Sequence, residues 1–250
     1  MKSFIQYILQ KVLGLNTYMV VFSWYKIKTL RKDRHENDFF HFLKFINKGD
    51  SVLVIGANIG IMSYYLSKSV GNGSVYAFEP IPLNVNTLRR IKRTFQLENL
   101  NIIDSALGNY DGTVEMILPV VDRVRKQGLS HVVTEEITSF NEGEKYTTEI
   151  HCLDTLNPGN GKRISAIKMD VENFEFHVLE GAKEILKRDK PIIYCELWDN
   201  QNRYNCFELM NQLGYSIQVL HQGKLAVYDS YQHTGQNFFF IPNSTNFAAS

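Results

Sequence analysis

Three carboxylates stand at the ends of strand-like runs in this sequence: Asp170 and Glu172 follow Ile164 to Met169, and Glu196 lies at the end of Pro191 to Leu197. In an open α/β sheet, groups at the carboxyl ends of the strands face the crevice where ligands bind. A carboxylate there can take the proton of a hydroxyl as that hydroxyl becomes a nucleophile. Asp170 and Glu172 are two residues apart, so in extended backbone both would face the same side. They would then serve as a general base with an orienting partner, or as oxygen ligands of a divalent cation such as Mg²⁺ that acidifies a hydroxyl. The structural alternatives are a turn capped by Asp170, an ion pair of Glu172 with Lys168, and a Glu196 that balances a buried partner. Lys168 and His177 are read as structural.

A second group of residues points to a nucleoside. Val52-Leu53-Val54-Ile55-Gly56-Ala57-Asn58-Ile59-Gly60 is a buried strand running into a glycine turn and a helix. Glycine lets the backbone approach a ligand, and the helix start offers free N–H groups. Glu79 directly follows the next strand, in Tyr76-Ala77-Phe78-Glu79-Pro80, where an acid can accept both hydroxyls of a ribose lying over the glycine turn. NAD and S-adenosylmethionine both satisfy that geometry. Ser63 stands where the third glycine of GxGxxG would be, which argues against a pyrophosphate and for a nucleoside without one. Asp104 and Ser105, after the third strand, would hydrogen-bond the adenine amino group; a turn-forming Asp104 is the alternative. The expected cofactor contacts are Gly56, Ala57, Asn58, Gly60, Glu79, Asp104, Ser105 and Asp170.

The elements that must position these groups alternate. From Asp50 onward, strands at Ser51 to Ile55, Ser74 to Phe78, Asn101 to Ile103, Ile164 to Met169 and Pro191 to Leu197 are separated by amphipathic stretches: Ile59 to Ser69, Leu83 to Phe95, Glu175 to Lys187 and, after the fifth, Asn202 to Leu213. This is the pattern of βαβ units. Tyr215 to Leu220 and Phe238 to Ile241 close a seven-stranded, mostly parallel, doubly wound sheet, and across Gln222-Gly223 and the Gly235 region they predict an antiparallel hairpin at its edge. Between strand-like Gly112 to Leu118 and Tyr146 to Leu153 sheet periodicity disappears. An insertion at about 119–146, with Arg123, Arg125, Lys126, Glu135 and Glu136, is expected there as a wall of an acceptor pocket or as a solvated loop. Asp154 is expected to start a short helix as its N-cap. His131 and His151, in or beside the insertion, are read as solvated, with a place in the acceptor pocket as the alternative.

Residues 1–49 read as a helical extension before a single domain covering 50–250. Between Lys2 and Arg34, the basic residues Lys2, Lys11, Lys26, Lys28, Arg31, Lys32 and Arg34 outnumber the one acid Asp33, so a peripheral membrane contact is one reading and a solvated helical face the other. A formal net charge of +1 argues against a nucleic-acid partner. Cys152, Cys195 and Cys206 have no CxxC spacing, and no apolar run is long enough to span a bilayer, so a cytoplasmic location is expected.

Taken in order, Gly56-Ala57-Asn58-Ile59-Gly60, Phe78-Glu79-Pro80, Ala106-Leu107-Gly108, Leu153-Asp154-Thr155-Leu156, Ile167-Lys168-Met169-Asp170-Val171-Glu172, Leu179-Glu180-Gly181-Ala182, Glu196 and Phe239-Phe240-Ile241-Pro242 resemble the FkbM-type methyltransferases, over roughly residues 50–242. The resemblance implies a Rossmann-like class I methyltransferase fold, S-adenosylmethionine as cofactor, and O-methylation of a small acceptor such as a sugar of a glycan or natural product. Two positions depart from the family pattern: Val54 replaces the usual acid of the first strand, and Asn173 stands where Asp-Val-Glu-Gly ends in glycine. They keep open a non-catalytic nucleoside-binding or scaffold protein of the same fold. An NAD-dependent oxidoreductase ranks last.

Overall fold

The computed structural model describes residues 2–122, 124–133, 137 and 140–243; Arg123, Glu135 and Glu136 of the expected insertion lie outside them. The chain opens with α1 (Lys2–Leu13) and α2 (Leu15–Thr29), passes two short 3-10 turns at Leu30–Lys32 and Arg34–Glu36, and enters α3 (Asn37–Phe42). Tyr18, Met19, Ser23 and Ile27 bury one side of α2, where the Ser23 hydroxyl donates to Ile59 O and the Tyr65 hydroxyl to Ile27 O. Leu30, Phe39 and Phe42 belong to the same core as Val52 and Val54. Several basic groups turn onto the protein itself: Lys26 pairs with Asp33, Lys28 lies over the Phe95 ring, and Arg31 lies over Phe40 and Tyr65. No helix among the described residues is long and apolar enough to cross a membrane.

The α/β alternation follows in β1 (Ser51–Ile55), α4 (Ile61–Val70), β2 (Ser74–Phe78), α5 (Pro82–Phe95) and β3 (Leu100–Ile103). A second, smaller sheet comes next: β4 (Ala106–Leu107), β5 (Gly112–Val121), β6 (Val124–Arg125), β7 (His131–Val132) and β8 (Gly143–His151), in the order β4-β8-β5-β6 with β7 also on β5. The expected insertion therefore contains short strands, and β5 and β8 run further into it than residue periodicity indicates. The main sheet resumes with α6 (Leu153–Leu156), β9 (Ile164–Met169), α7 (Glu175–Glu180), α8 (Lys183–Asp189), β10 (Ile192–Glu196), α9 (Gln201–Gln212), β11 (Tyr215–His221), β12 (Lys224–Val227) and β13 (Asn237–Pro242).

The main sheet has the order β12-β11-β13-β10-β9-β1-β2-β3, parallel from β10 through β3 and antiparallel where β13 meets β10 and β11. It has eight strands, one more than expected. The extra strand is β12, whose side chains are largely exposed, so burial alternation did not mark it. The hairpin turn at Gln222-Gly223, both with positive φ, joins β11 to β12 at the sheet edge, whereas β13 is inserted between β10 and β11. All five residues of β1 are buried, because both faces of the sheet are covered. Val52 and Val54 pack with Phe39, Leu66 and Leu88 on one side; Leu53 and Ile55 pack with Leu179, Ile185 and Met210 on the other. The helix expected over Glu175 to Lys187 is two helices. Asp154 does not cap its own short helix; its carboxylate accepts from Glu184 N and Ile185 N, both at 2.9 Å, and so caps α8 from across the fold.

Candidate active site

Strand register brings the site together. Ile55 is opposite Phe78 in β2 and Met169 in β9, and Met169 is opposite Cys195 in β10. The next residue of each strand, Gly56, Glu79, Asp170 and Glu196, therefore emerges at one level, at the point where the chain order reverses between β1 and β9. Gly56 has φ 76°, and a Cβ there would lie 1.8 Å from Asp170 O, so only glycine lets these two strand ends close up.

Between the strand ends and the small sheet lies a crevice of about 610 Å³, counted to its open mouth. Glu79 is buried in its wall and anchored: Oε2 accepts from Asn58 N at 2.7 Å, and Oε1 accepts from Ile81 N at 3.0 Å and Asn84 Nδ2 at 3.2 Å. Burial pushes its carboxyl up to about 6 despite those donors. A carboxylate offers about four acceptor positions, so one lone pair of Oε2 remains for a ligand, and the bidentate grip on two hydroxyls expected from sequence is reduced to one. Asn58 Oδ1, Asn84 Oδ1 and Ser105 Oγ are buried around the crevice with no partner among the described residues, the arrangement a ribose and an adenine would complete. Gly56, Asn58, Glu79, Ser105 and Asp170 line it. Asp104 does not; it is exposed and paired with Arg89. Gly60 also stays outside and holds a left-handed turn against Leu88, while Ala57 lines an adjoining space.

The carboxylates separate into different spaces. Glu172 lines only the crevice, Glu196 only a second cavity on the side of the N-terminal segment, and Asp170 lines both. The expectation of extended backbone at Asp170 and Glu172 is overturned, because Glu172 and Asn173 have φ 54° and 74° and the chain turns sharply there. Asn at position 173 tolerates that geometry better than most residues. The turn is held by Glu175, which is fully buried and accepts from Val171 N and Asn173 N, each at 3.2 Å, and from Asn202 Nδ2 at 2.7 Å. Burial and then the charges of Asp170, Glu196 and Glu175 push the Glu172 carboxyl up to about 9. Burial and then Asp170 push Glu196 up to about 7.

Sequence reasoning passed over Lys168 and Glu175. Lys168 is 5% exposed, lines the second cavity, and places Nζ 3.0 Å from Asp170 Oδ2. In register it stands opposite Val54, the position of the missing acid. The signal was its place among apolar strand residues, where a lysine needs a partner. Met116 and Val132 of the small sheet, with Gln127, Gly128 and Ser130 of the turn between β6 and β7, roof the crevice and carry no distinctive spacing. His131 is not solvated: it is 1% exposed, its ring nitrogens 2.8 Å from Leu129 O and 3.0 Å from Asn141 Oδ1. His151 faces Asp111 and Glu149, away from the crevice. Among the described residues no three His, Cys, Asp or Glu side chains gather as a metal site, and Lys168 already holds Asp170, so the residues present do not fit the Mg²⁺ pair expected of Asp170 and Glu172.

A family model described as Methyltransferase FkbM domain matches residues 55–221. Methyltransferase 1 of Beauveria bassiana (strain ARSEF 2860) is 22% identical over 171 residues, which cover 60% of this chain and 68% of that protein. Methyltransferase sdnD of Sordaria araneosa is 27% identical over 156 residues, covering 52% and 59%. Among solved structures, methyltransferase FkbM from Methylobacillus flagellatus KT has the same fold, with a TM-score of 0.50 at 16% identity over 78% of this chain. The match covers 44% of that solved chain.

Proposed function

The chain belongs to the FkbM methyltransferase family, whose domain covers more than half of it, and on that premise we propose that it is an S-adenosylmethionine-dependent O-methyltransferase acting on a hydroxyl of a small, sugar-like acceptor. The observation that carries the reading is that Asp170 alone of the three carboxylates lines both the nucleoside crevice and the second cavity. Methyl transfer requires donor and acceptor to meet in line across one wall, and much of its acceleration comes from that alignment. S-adenosylmethionine, when bound, supplies a sulfonium methyl whose S–C bond breaks with its electron pair on sulfur as the acceptor oxygen forms the C–O bond.

The residues of this chain do the rest. Glu79 accepts a ribose hydroxyl on its remaining lone pair, while Asn58, Asn84 and Ser105 take the other polar atoms of the nucleoside. Asp170, held by Lys168, receives the hydroxyl proton. Glu172 faces the cofactor and Glu196 the acceptor. Three free cysteines fit a cytoplasmic enzyme. Isothermal titration with S-adenosylmethionine and, separately, NAD is the test: micromolar binding of the methyl donor without binding of NAD is expected, and the opposite result refutes the assignment.

A further inference from the structure

The second cavity measures about 830 Å³ to its open mouth, and four of its ten lining residues, His35, Glu36, Gln236 and Asn237, come from outside the family domain. His35 and Glu36 come from the N-terminal segment; Lys168, Asp170, Glu196 and Asn237 come from the ends of the central strands. A third space shares Glu36, Lys168 and Asp170 with it and Gly56, Asn58, Gln127 and Asp170 with the cofactor crevice. The charge of its lining is lopsided. Lys168 is the one ammonium lining the second cavity and is bound to Asp170, while Lys26, on the third space, is paired with Asp33. The carboxylates of Glu36 and Glu196 accept no hydrogen bond from any described residue. Burial pushes both upward, for Glu36 with the charge of Asp33 second and for Glu196 with that of Asp170 second. Half-buried carboxylates without donors suit hydroxyl donors and repel a further anion.

We propose that this cavity receives the methyl acceptor, and that Glu36 and Glu196 select a polyhydroxylated molecule without phosphate or carboxylate groups. The N-terminal segment is then part of the specificity machinery, with Glu36 a specificity-determining residue. The proposal rests on the methyl-transfer reading for the role of the occupant, while its charge selection is measurable independently.

The test titrates isotope-labelled protein, with and without S-adenosylhomocysteine, with methyl β-glucoside, glucosamine, glucose 6-phosphate and glucuronate, and reads amide shifts. The expected result is that the first two perturb residues 35–36, 196 and 236–237, at least tenfold more tightly than the two anions. Glu36→Gln should weaken the glucoside at least fivefold and narrow its lead over the phosphate; Glu36→Arg should reverse the order. Equal or tighter binding of the anions, shifts confined to other residues, no shifts with any probe, or an unchanged order in Glu36→Arg would each overturn the proposal. Failure of S-adenosylhomocysteine alone to bind, with the charge selection intact, would strike the methyl-transfer reading instead.

Discussion

Two kinds of acid, fully buried and half-buried, divide this site between them. Glu79 and Glu175 each accept three hydrogen bonds, from backbone N–H groups and an asparagine amide, and those donors are the loops that the ligand must meet. Glu36, Glu172 and Glu196 face the cavities, and their carboxylates accept no hydrogen bond from any described residue. A carboxylate buried with its donors holds backbone in place; one half-buried without them is destabilised in its charged form until something enters. The first kind holds the turns around the crevice, and the second leaves carboxyl oxygens unmet along both cavities.

Asp170→Asn breaks the comparison hardest. It keeps the shape of the wall shared by both cavities but not the proton acceptor, so turnover should fall about 1,000-fold, about 4 kcal/mol, with the dissociation constant for S-adenosylmethionine within a few-fold of wild type. Stopped turnover assays paired with titration calorimetry check it; undiminished turnover removes Asp170 from proton transfer. Glu79→Ala comes next. It orphans three donors, so cofactor affinity should fall about 100-fold and stability by about 2–3 kcal/mol, whereas donor-free Glu196→Ala should leave cofactor affinity nearly unchanged. Equal losses in the two variants would erase the distinction between them.

The pH dependence sharpens the contrast. Glu79, Glu175 and Glu196 are raised to about 6, 7 and 7 and Glu172 to about 9, so between the ordinary carboxylate range and those values the folded state binds more protons than the unfolded one. Stability contributed by these groups is therefore lost as pH rises through that window. Glu172→Gln removes the largest of these shifts and should raise the melting temperature at pH 8 by about 2–4 °C for each kcal/mol released, with a flatter slope from pH 6 to 9; a lower melting temperature would mean that Glu172 has a stabilising partner. The smallest effect is a proton count. A sulfonium entering beside Glu172 favours its ionised form, so at pH 8 S-adenosylmethionine should release a fraction of a proton that the uncharged sulfur of S-adenosylhomocysteine does not. Calorimetry in two buffers of different ionisation enthalpy measures it, and equal release for both ligands would separate Glu172 from the sulfonium.

Much of the fold was legible because burial imposes periodicity on strands and helices. The continuous apolar run of β1, the alternation with amphipathic helices, and the glycine turn before α4 all follow from which faces must be covered. Position 79 was legible for the same reason, as the residue after a buried strand. Asp104 had the same local credentials, yet a neighbouring Arg89 on α5 draws it outward. Whether a strand-end acid faces a cleft or a cation depends on a side chain fifteen residues away, which no local pattern encodes.

By itself, then, the amino-acid order determined a doubly wound sheet, the level at which Gly56, Glu79, Asp170 and Glu196 emerge, and the family motifs, since these depend on short-range periodicity and on the rise of one residue per strand step. Tertiary structure alone decided that Glu172 and Asp170 face different spaces, that Lys168 belongs with Asp170, that the small sheet roofs the crevice, and that Glu36 reaches the second cavity. Those outcomes hang on left-handed backbone at Glu172 and Asn173 and on contacts between segments more than a hundred residues apart, where packing and charge of the whole chain select among locally equivalent choices.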